Sequence, residues 1–250
     1  MKISIITATY NSSKTLKDTI ESVLNQTYKD IEYIIIDGLS TDDTVRIATQ
    51  YQDSFNGRMK IISEKDEGIY DALNKGIRYS SGEVIGFVHA DDILADNGVV
   101  EKINNTFVQN KCQLIYGDIL IVNQDNNKII RNWKSQIFEP RLLKHGWMLP
   151  HPTMYASRQM YEQVGEYNLR YHIGADYDLI IRALKQTPLD QICYIPQYIV
   201  RMRAGGTSGQ SKNFKAMMIE DWHIIKENEI GNIWTLFMKK FSKLTQFLSK

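Results

Sequence analysis

Residues 3–37 read ISIITATYNSSKTLKDTIESVLNQTYKDIEYIIID, and the apolar spacing changes twice along them. ISIIT and IEYIIID are short β-branched runs of strand type, whereas Leu16, Ile20, Val23 and Leu24 recur at the steps of one helix face. Ser12 or Ser13 is a fair N-cap for that helix, and NQTY ends it. Strand, helix and strand over so short a stretch predict two parallel strands joined by a right-handed crossover.

The pattern repeats outward from there. STDDTV opens a second helix, with Ser40 at the cap and Asp43 in the third position of an Asp-type capping box. MKIIS is a third strand, GIYDALNKGI a third helix with Ile69, Leu73 and Ile77 on one face, and EVIGFV a fourth strand apolar on both faces. An α/β fold follows, with a mainly parallel sheet flanked by helices. The second half is mixed. QLIYGDILIV and KIIRNW predict an antiparallel pair around the turn NQDNN, SRQMYEQVG and GADYDLIIRALKQ predict helices, and CYIPQYIV predicts a further strand. No linker or repeat interrupts the chain, so one domain over residues 1–210 with a helical extension over 211–250 is expected.

Composition sets limits. The 250 residues carry 30 basic and 29 acidic side chains, a net charge of +1, with 43% hydrophobic residues. That suits an ordinary globular protein and excludes a nucleic-acid binder working by phosphate neutralisation. MKISIITATYN is too polar for a signal peptide or a spanning helix, so a cytoplasmic protein is expected. Cys112 and Cys193 stand far apart without CxxC spacing and read as two small buried residues, not as a disulfide or a zinc site.

The polar residues cluster at strand ends. TATYN closes the first strand, Asp37 the second, Glu64 and Asp66 follow the third, and HADD follows the fourth. Carboxyl ends are where open parallel sheets bind ligands. Asp91 and Asp92 repel one another there unless a hard divalent cation stands between them and a diphosphate. The patterns GxxxxGK[ST] and GxGxxG are absent, so neither a P-loop nor a dinucleotide fingerprint is present. Aspartates that hold base and ribose, with a metal on the diphosphate, point to a nucleotide-sugar enzyme. A metal-dependent nucleotidyltransferase or phosphotransferase would use the same acids, but is expected to have a glycine-rich basic loop where TATYNSSK has no glycine. A non-catalytic nucleotide-sugar binding module is the third reading.

SIITATYNSSKTLKDTIESVLNQTYKDIEYIIIDGLSTDDT, DEGIYDALNKGI, HADD, HPTMY, GADYDLIIR and GGTS, in that order, resemble family 2 glycosyltransferases of the GT-A fold, from about Ile3 to Ser208. The resemblance implies an inverting transfer from a nucleotide-sugar, usually UDP-linked, to a glycan or lipid-linked acceptor in surface polysaccharide synthesis. It implies a nucleotide-binding half at about 1–110 and an acceptor half at about 111–210. By resemblance Thr9, Tyr10, Asn11 and Asp37 hold the base, and Asp66 contacts base or ribose. HADD resembles the DxD motif that binds ribose and Mg²⁺ or Mn²⁺, with His89 in the first acidic position, so Asp91 and Asp92 share the ribose and metal roles in an order left open. In GADYDLIIR, Asp176 aligns with the catalytic base and Asp178 is the substitute. His151, Arg203, Gly205 and Gly206 are assigned to an acceptor or diphosphate loop.

In the tail, Trp234, Phe237, Phe241, Leu244 and Leu248 recur at helical steps with Lys239, Lys240 and Lys243 between them. Such a helix docks on its own domain or lies on an anionic membrane as a peripheral contact.

Overall fold

The computed structural model describes residues 1–205 and 214–248, with side chains through residue 240. Its first half runs β1 (Ile3–Thr9), α1 (Leu16–Leu24), β2 (Ile31–Asp37), α2 (Thr44–Tyr51), β3 (Met59–Ser63), α3 (Ile69–Tyr79) and β4 (Val84–Phe87). Then come β5 (Ile93–Leu94), α4 (Val99–Asn110), β6 (Leu114–Val122), β7 (Ile129–Trp133), α5 (Arg141–Lys144), β8 (Tyr155–Ser157) and α6 (Arg158–Val164). α7 (Ala175–Gln186), β9 (Ile192–Arg203), α8 (Phe214–Glu227) and α9 (Ile233–Leu248) complete the chain.

One sheet has the order β3-β2-β1-β4-β8-β6-β9-β5, with β7 on β6. β3, β2, β1 and β4 are mutually parallel, as the sequence implies, and β6 pairs antiparallel with β7. Every residue of β1 and β2 is buried, because alternate side chains feed two cores. Ile6, Ile34 and Ile36 pack with Leu73 and Ile77 of α3, while Ile3, Ile5 and Ile35 pack with Leu16, Ile20 and Val23 of α1. Each fully buried side chain of this kind contributes about 1.5–3 kcal/mol.

The helix starts differ from expectation. α1 begins after Thr15, without a side-chain cap from Ser12 or Ser13. α2 begins at Thr44 directly after Asp43, so Ser40 is no cap: its hydroxyl donates to Asp37 instead. Ile69 is 49% exposed, leaving Leu73 and Ile77 to anchor α3.

Cys112 and Cys193 form a disulfide across a separation of 81 residues, which corrects the expectation of two isolated thiols. β6 and β9 are parallel neighbours, with Leu114 opposite Ile192 and Ile115 opposite Cys193, so the sulfurs meet where the two strands begin. Sequence spacing carries no sign of this. The C-terminal helices dock on the domain. Thr235, Leu236 and Lys239 are buried, whereas Trp234 and Phe237 are 66% and 53% exposed, so Lys239 faces inward while these two aromatic residues face out. The side chains of Phe241, Lys243, Leu244 and Leu248 lie outside the described set. Among the described residues no helix is long and apolar enough to cross a membrane.

Closing so long a loop stabilises a fold by about 2–5 kcal/mol. Replacing both cysteines by serine is expected to lower the urea unfolding midpoint relative to the oxidised protein. Identical midpoints for the wild type with and without reductant would show that the sulfurs are not joined.

Candidate active site

Strand register brings the first group of polar residues into line. Thr9 lies opposite Asp37, and Asp37 opposite Ser63, at the carboxyl ends of β1, β2 and β3. Asp37 is 1% exposed and accepts hydrogen bonds from Ser40 N at 3.0 Å, Ser40 Oγ at 2.5 Å and Ser63 Oγ at 2.7 Å. Three of its four lone-pair positions are therefore used internally. Beside it, Thr9 Oγ1 is buried without a partner, and Tyr10 is 62% exposed. Asn11 takes a positive φ of 50°, which Asn tolerates, and its Oδ1 accepts from Thr41 N at 2.8 Å. Asn11 N donates to Ser40 Oγ at 2.8 Å, so the loops after β1 and β2 are tied together.

Asp66 reaches this group from the loop after β3. Its Oδ1 accepts from Gly68 N at 3.0 Å, and a Cβ on Gly38 would stand 2.4 Å from its Oδ2. Gly38 thus lets Asp66 lie next to Asp37, a role the sequence reading missed although the glycine directly follows the aspartate.

After β4 the chain turns through His89, Asp91 and Asp92 into β5. Asp92 is 1% exposed: its Oδ1 accepts from Arg203 N at 3.3 Å, and its buried Oδ2 has no hydrogen-bond partner. Burial, with Asp91 beside it, pushes this carboxyl well above the usual range. An open carboxylate oxygen in so dry a place fits a cation, which would reverse that shift. Among the described residues no three or more His, Cys, Asp or Glu side chains gather to hold an ion, so substrate oxygens and water would have to complete the shell. Asp91 is half-buried.

Arg203, assigned to an acceptor or diphosphate loop, lies in the interior with its guanidinium bonded to the protein. It is 4% exposed, and its guanidinium donates to Asp91 O at 2.9 Å, Gln124 O at 2.8 Å and the Asp18 carboxylate. It braces the Asp91–Asp92 turn from behind. Gly205 follows it at φ 115°, and Gly206 lies outside the described residues. His151 is likewise interior, at 6% exposure, with Nε2 2.7 Å from Tyr167 Oη, and burial pushes its imidazole down to about 3.

A column of rings connects the two ends of the site. His89 stacks on His151, Tyr167 meets His151 edge-on, and Tyr70 stacks on Tyr167. Tyr70 Oη donates to Ile173 O at 2.7 Å and lies 3.4 Å from Asp176 Oδ1. His89 Nδ1 is buried without a partner, and His89 feels both Asp91 and Asp176. Asp176 is half-buried in the first turn of α7, where Tyr177 N donates to its Oδ1 at 2.8 Å. Asp178 is 4% exposed and taken up by Arg182 Nε at 2.8 Å and Asn228 Nδ2 at 3.1 Å. The two acids are thereby separated: Asp178 is a structural pair, and the Arg182 four residues on was the available signal.

Glu220 of α8 was not singled out in the sequence. Its carboxylate accepts from His172 N, Ile173 N and Gly174 N at 3.0, 2.9 and 2.8 Å, fixing the loop that leads into Asp176.

Residues 4–165 match the family model for glycosyl transferase family 2. A PGL/p-HBAD biosynthesis glycosyltransferase of Mycobacterium bovis is 31% identical over 188 residues, 74% of this chain and 71% of its own. Among solved structures, S. aureus TarS 1-349 superposes with a TM-score of 0.69 at 18% identity, over 90% of this chain, which spans 65% of that one. TarS has also been solved in complex with UDP-GlcNAc. The mannosyltransferase PcManGT of Pyrobaculum calidifontis, in complex with GDP-Man and Mn²⁺, superposes with a TM-score of 0.58 at 15% identity, over all of this chain and 76% of its own. At these identities the likeness of the solved structures is one of fold.

Gly38→Ala is expected to displace Asp66 while leaving the cores intact, because the clash is with a movable carboxylate. UDP affinity by calorimetry should fall roughly tenfold, the worth of one hydrogen bond to a charged group. The melting temperature should change little, and unchanged affinity would show that Asp66 takes no part in binding.

Proposed function

The chain belongs to glycosyl transferase family 2 and has the GT-A fold, and we propose that it transfers a sugar with inversion from a UDP-sugar to a glycan or lipid-linked acceptor. One observation carries the reading: Asp91, beside His89, and Asp176, beside Tyr70, lie at the two ends of one aromatic column. The strand-end group of Thr9, Tyr10, Asn11, Asp37 and Asp66 takes the base and ribose. Asp37 keeps one lone-pair position for the base, and the unpartnered Thr9 hydroxyl lies beside it.

Asp92, with Asp91 as its neighbour, would hold Mg²⁺ or Mn²⁺. When bound, that ion supplies Lewis acidity at the departing diphosphate. The presence of Mn²⁺ with GDP-Man in PcManGT agrees with this assignment. Asp176 takes the proton of the acceptor hydroxyl as its oxygen bonds the anomeric carbon and the bond from that carbon to the diphosphate breaks. The Tyr177 amide aims the carboxylate, and Tyr70 walls it from the α3 side. No covalent enzyme intermediate is needed.

A lipid-linked acceptor would bring the protein to a membrane, and the exposed Ile233, Trp234 and Phe237 on α9 suit an interfacial contact. Trp234→Ser with Phe237→Ser should then reduce co-sedimentation with anionic vesicles. Equal sedimentation would remove the membrane contact and leave the transferase reading untouched.

Asp176→Asn should retain UDP binding and lose about 10²–10⁴-fold in UDP release from a panel of UDP-sugars with water as acceptor. A variant as active as the wild type would reduce the protein to a binding module or move the base elsewhere. Asp92→Ala should abolish the difference in UDP affinity measured with Mn²⁺ and with EDTA. If the wild type shows no such difference, the metal assignment fails.

A further inference from the structure

A buried cation stands behind the proposed base. Lys239 of α9 is 5% exposed, and its Nζ lies 2.5 Å from Asp221 Oδ1 of α8 and 3.2 Å from the centre of the Tyr177 ring. Tyr177 is the residue whose amide holds Asp176 Oδ1. The approach of α9 is built in: Gly146 adopts φ 68°, and a Cβ there would stand 2.6 Å from the Lys239 backbone nitrogen. Thr235 Oγ1 also donates to Lys144 O at 2.8 Å. Burying an ammonium is costly even when it is paired, and a leucine would fill the same space without that cost. Lys239 lies far beyond residue 165, where the family match ends.

We propose that Lys239 is a positioning residue for Asp176, its ammonium seated on the Tyr177 ring to compensate the negative charge at the start of α7. The proposal rests on the reading of Asp176 as the base.

The surrounding charges make the case quantitative in sign. Lys239 faces Asp221 of α8, Lys240 of its own helix, and Tyr177 and Asp176 of α7. Asp176 faces Tyr70 of α3, with Tyr167, His89 and Lys239 around it, and Glu220 of α8 also lies near Tyr70. Burial pushes the Lys239 ammonium down to about 8, against the pull of Asp221 and of Asp176. Burial alone would raise the Asp221 carboxyl, yet Lys239 and Lys240 together hold it below the usual range. Lys239 and Asp221 thus form a buried ion pair in which each favours the charged form of the other. Removing the cation should make Asp176 harder to ionise, and removing the acid should make it easier.

The test is a ¹³C-carboxyl NMR titration of the full chain, with the Asp176 signal assigned through Asp176→Asn. In Lys239→Met the Asp176 midpoint should rise by roughly one pH unit, and in Asp221→Asn it should fall. Where a UDP-sugar is turned over, the acid limb of the rate profile should move the same way, with roughly tenfold slower UDP release on the acid side for Lys239→Met. Unmoved midpoints, or shifts of the same sign in both variants, mean that Lys239 only packs and overturn the proposal. If Lys239→Met fails to fold, the sign of the Asp221→Asn shift decides alone. If both midpoints move as stated while Asp176→Asn remains fully active, the base assignment has failed and the electrostatic coupling stands.

Discussion

The in-register pairing of β1, β2 and β3 decides where the polar groups at the carboxyl ends of these strands fall. Parallel strands buried on both faces have little hydrophobic reason to prefer one register over another, since a slip exchanges one apolar face for another. Polar pairs at the two ends remove the ambiguity. At one end Glu32 lies opposite Ser4, accepts its hydroxyl at 2.6 Å and takes Lys60 Nζ at 2.8 Å. Burial would raise Glu32, but Lys60, Ser4 and Ser81 bring it down to about 2. At the other end Asp37 binds Ser63 across the sheet. Misregistration would bury these carboxylates without partners, a penalty of several kcal/mol.

The turn after β4 obeys a different constraint. Asp92 keeps a buried oxygen with no protein partner, which a fold built for stability alone would not retain. It survives because Arg203 spends its guanidinium on the Asp91 carbonyl, Gln124 and Asp18, holding the backbone still while the carboxylate stays open. Arg203 thus acts as a brace behind the turn.

Much of this was legible in the sequence, and the remainder was not, for physical reasons. Local periodicity displayed β1 to β4 with their helices, and strand ends displayed Asp37, Asp66, Asp91 and Asp92. Asp178 was separable from Asp176 by its i,i+4 arginine. Long-range placement has no such trace: Cys112 meets Cys193 only because β6 and β9 pair, and Glu220 matters only because α8 brings it to three backbone amides. The helix starts were misjudged because Ser40 and Asp42 serve the loops: Ser40 bonds Asp37, and Asp42 accepts from Thr44 N and Oγ1 at 3.0 and 2.5 Å.

The two ends of the site therefore differ in how they are held. The strand-end group of Thr9, Asp37 and Ser63 is fixed by backbone pairing within one sheet, so its geometry follows from the core. The Asp176 end rests on side chains brought by α7, α8 and α9, where Glu220 fixes a loop and Lys239 and Lys240 neutralise Asp221. Among the described residues no ammonium pair is bonded to Asp91 or Asp92, and the Asp92 carboxylate keeps its open oxygen with Asp91 beside it.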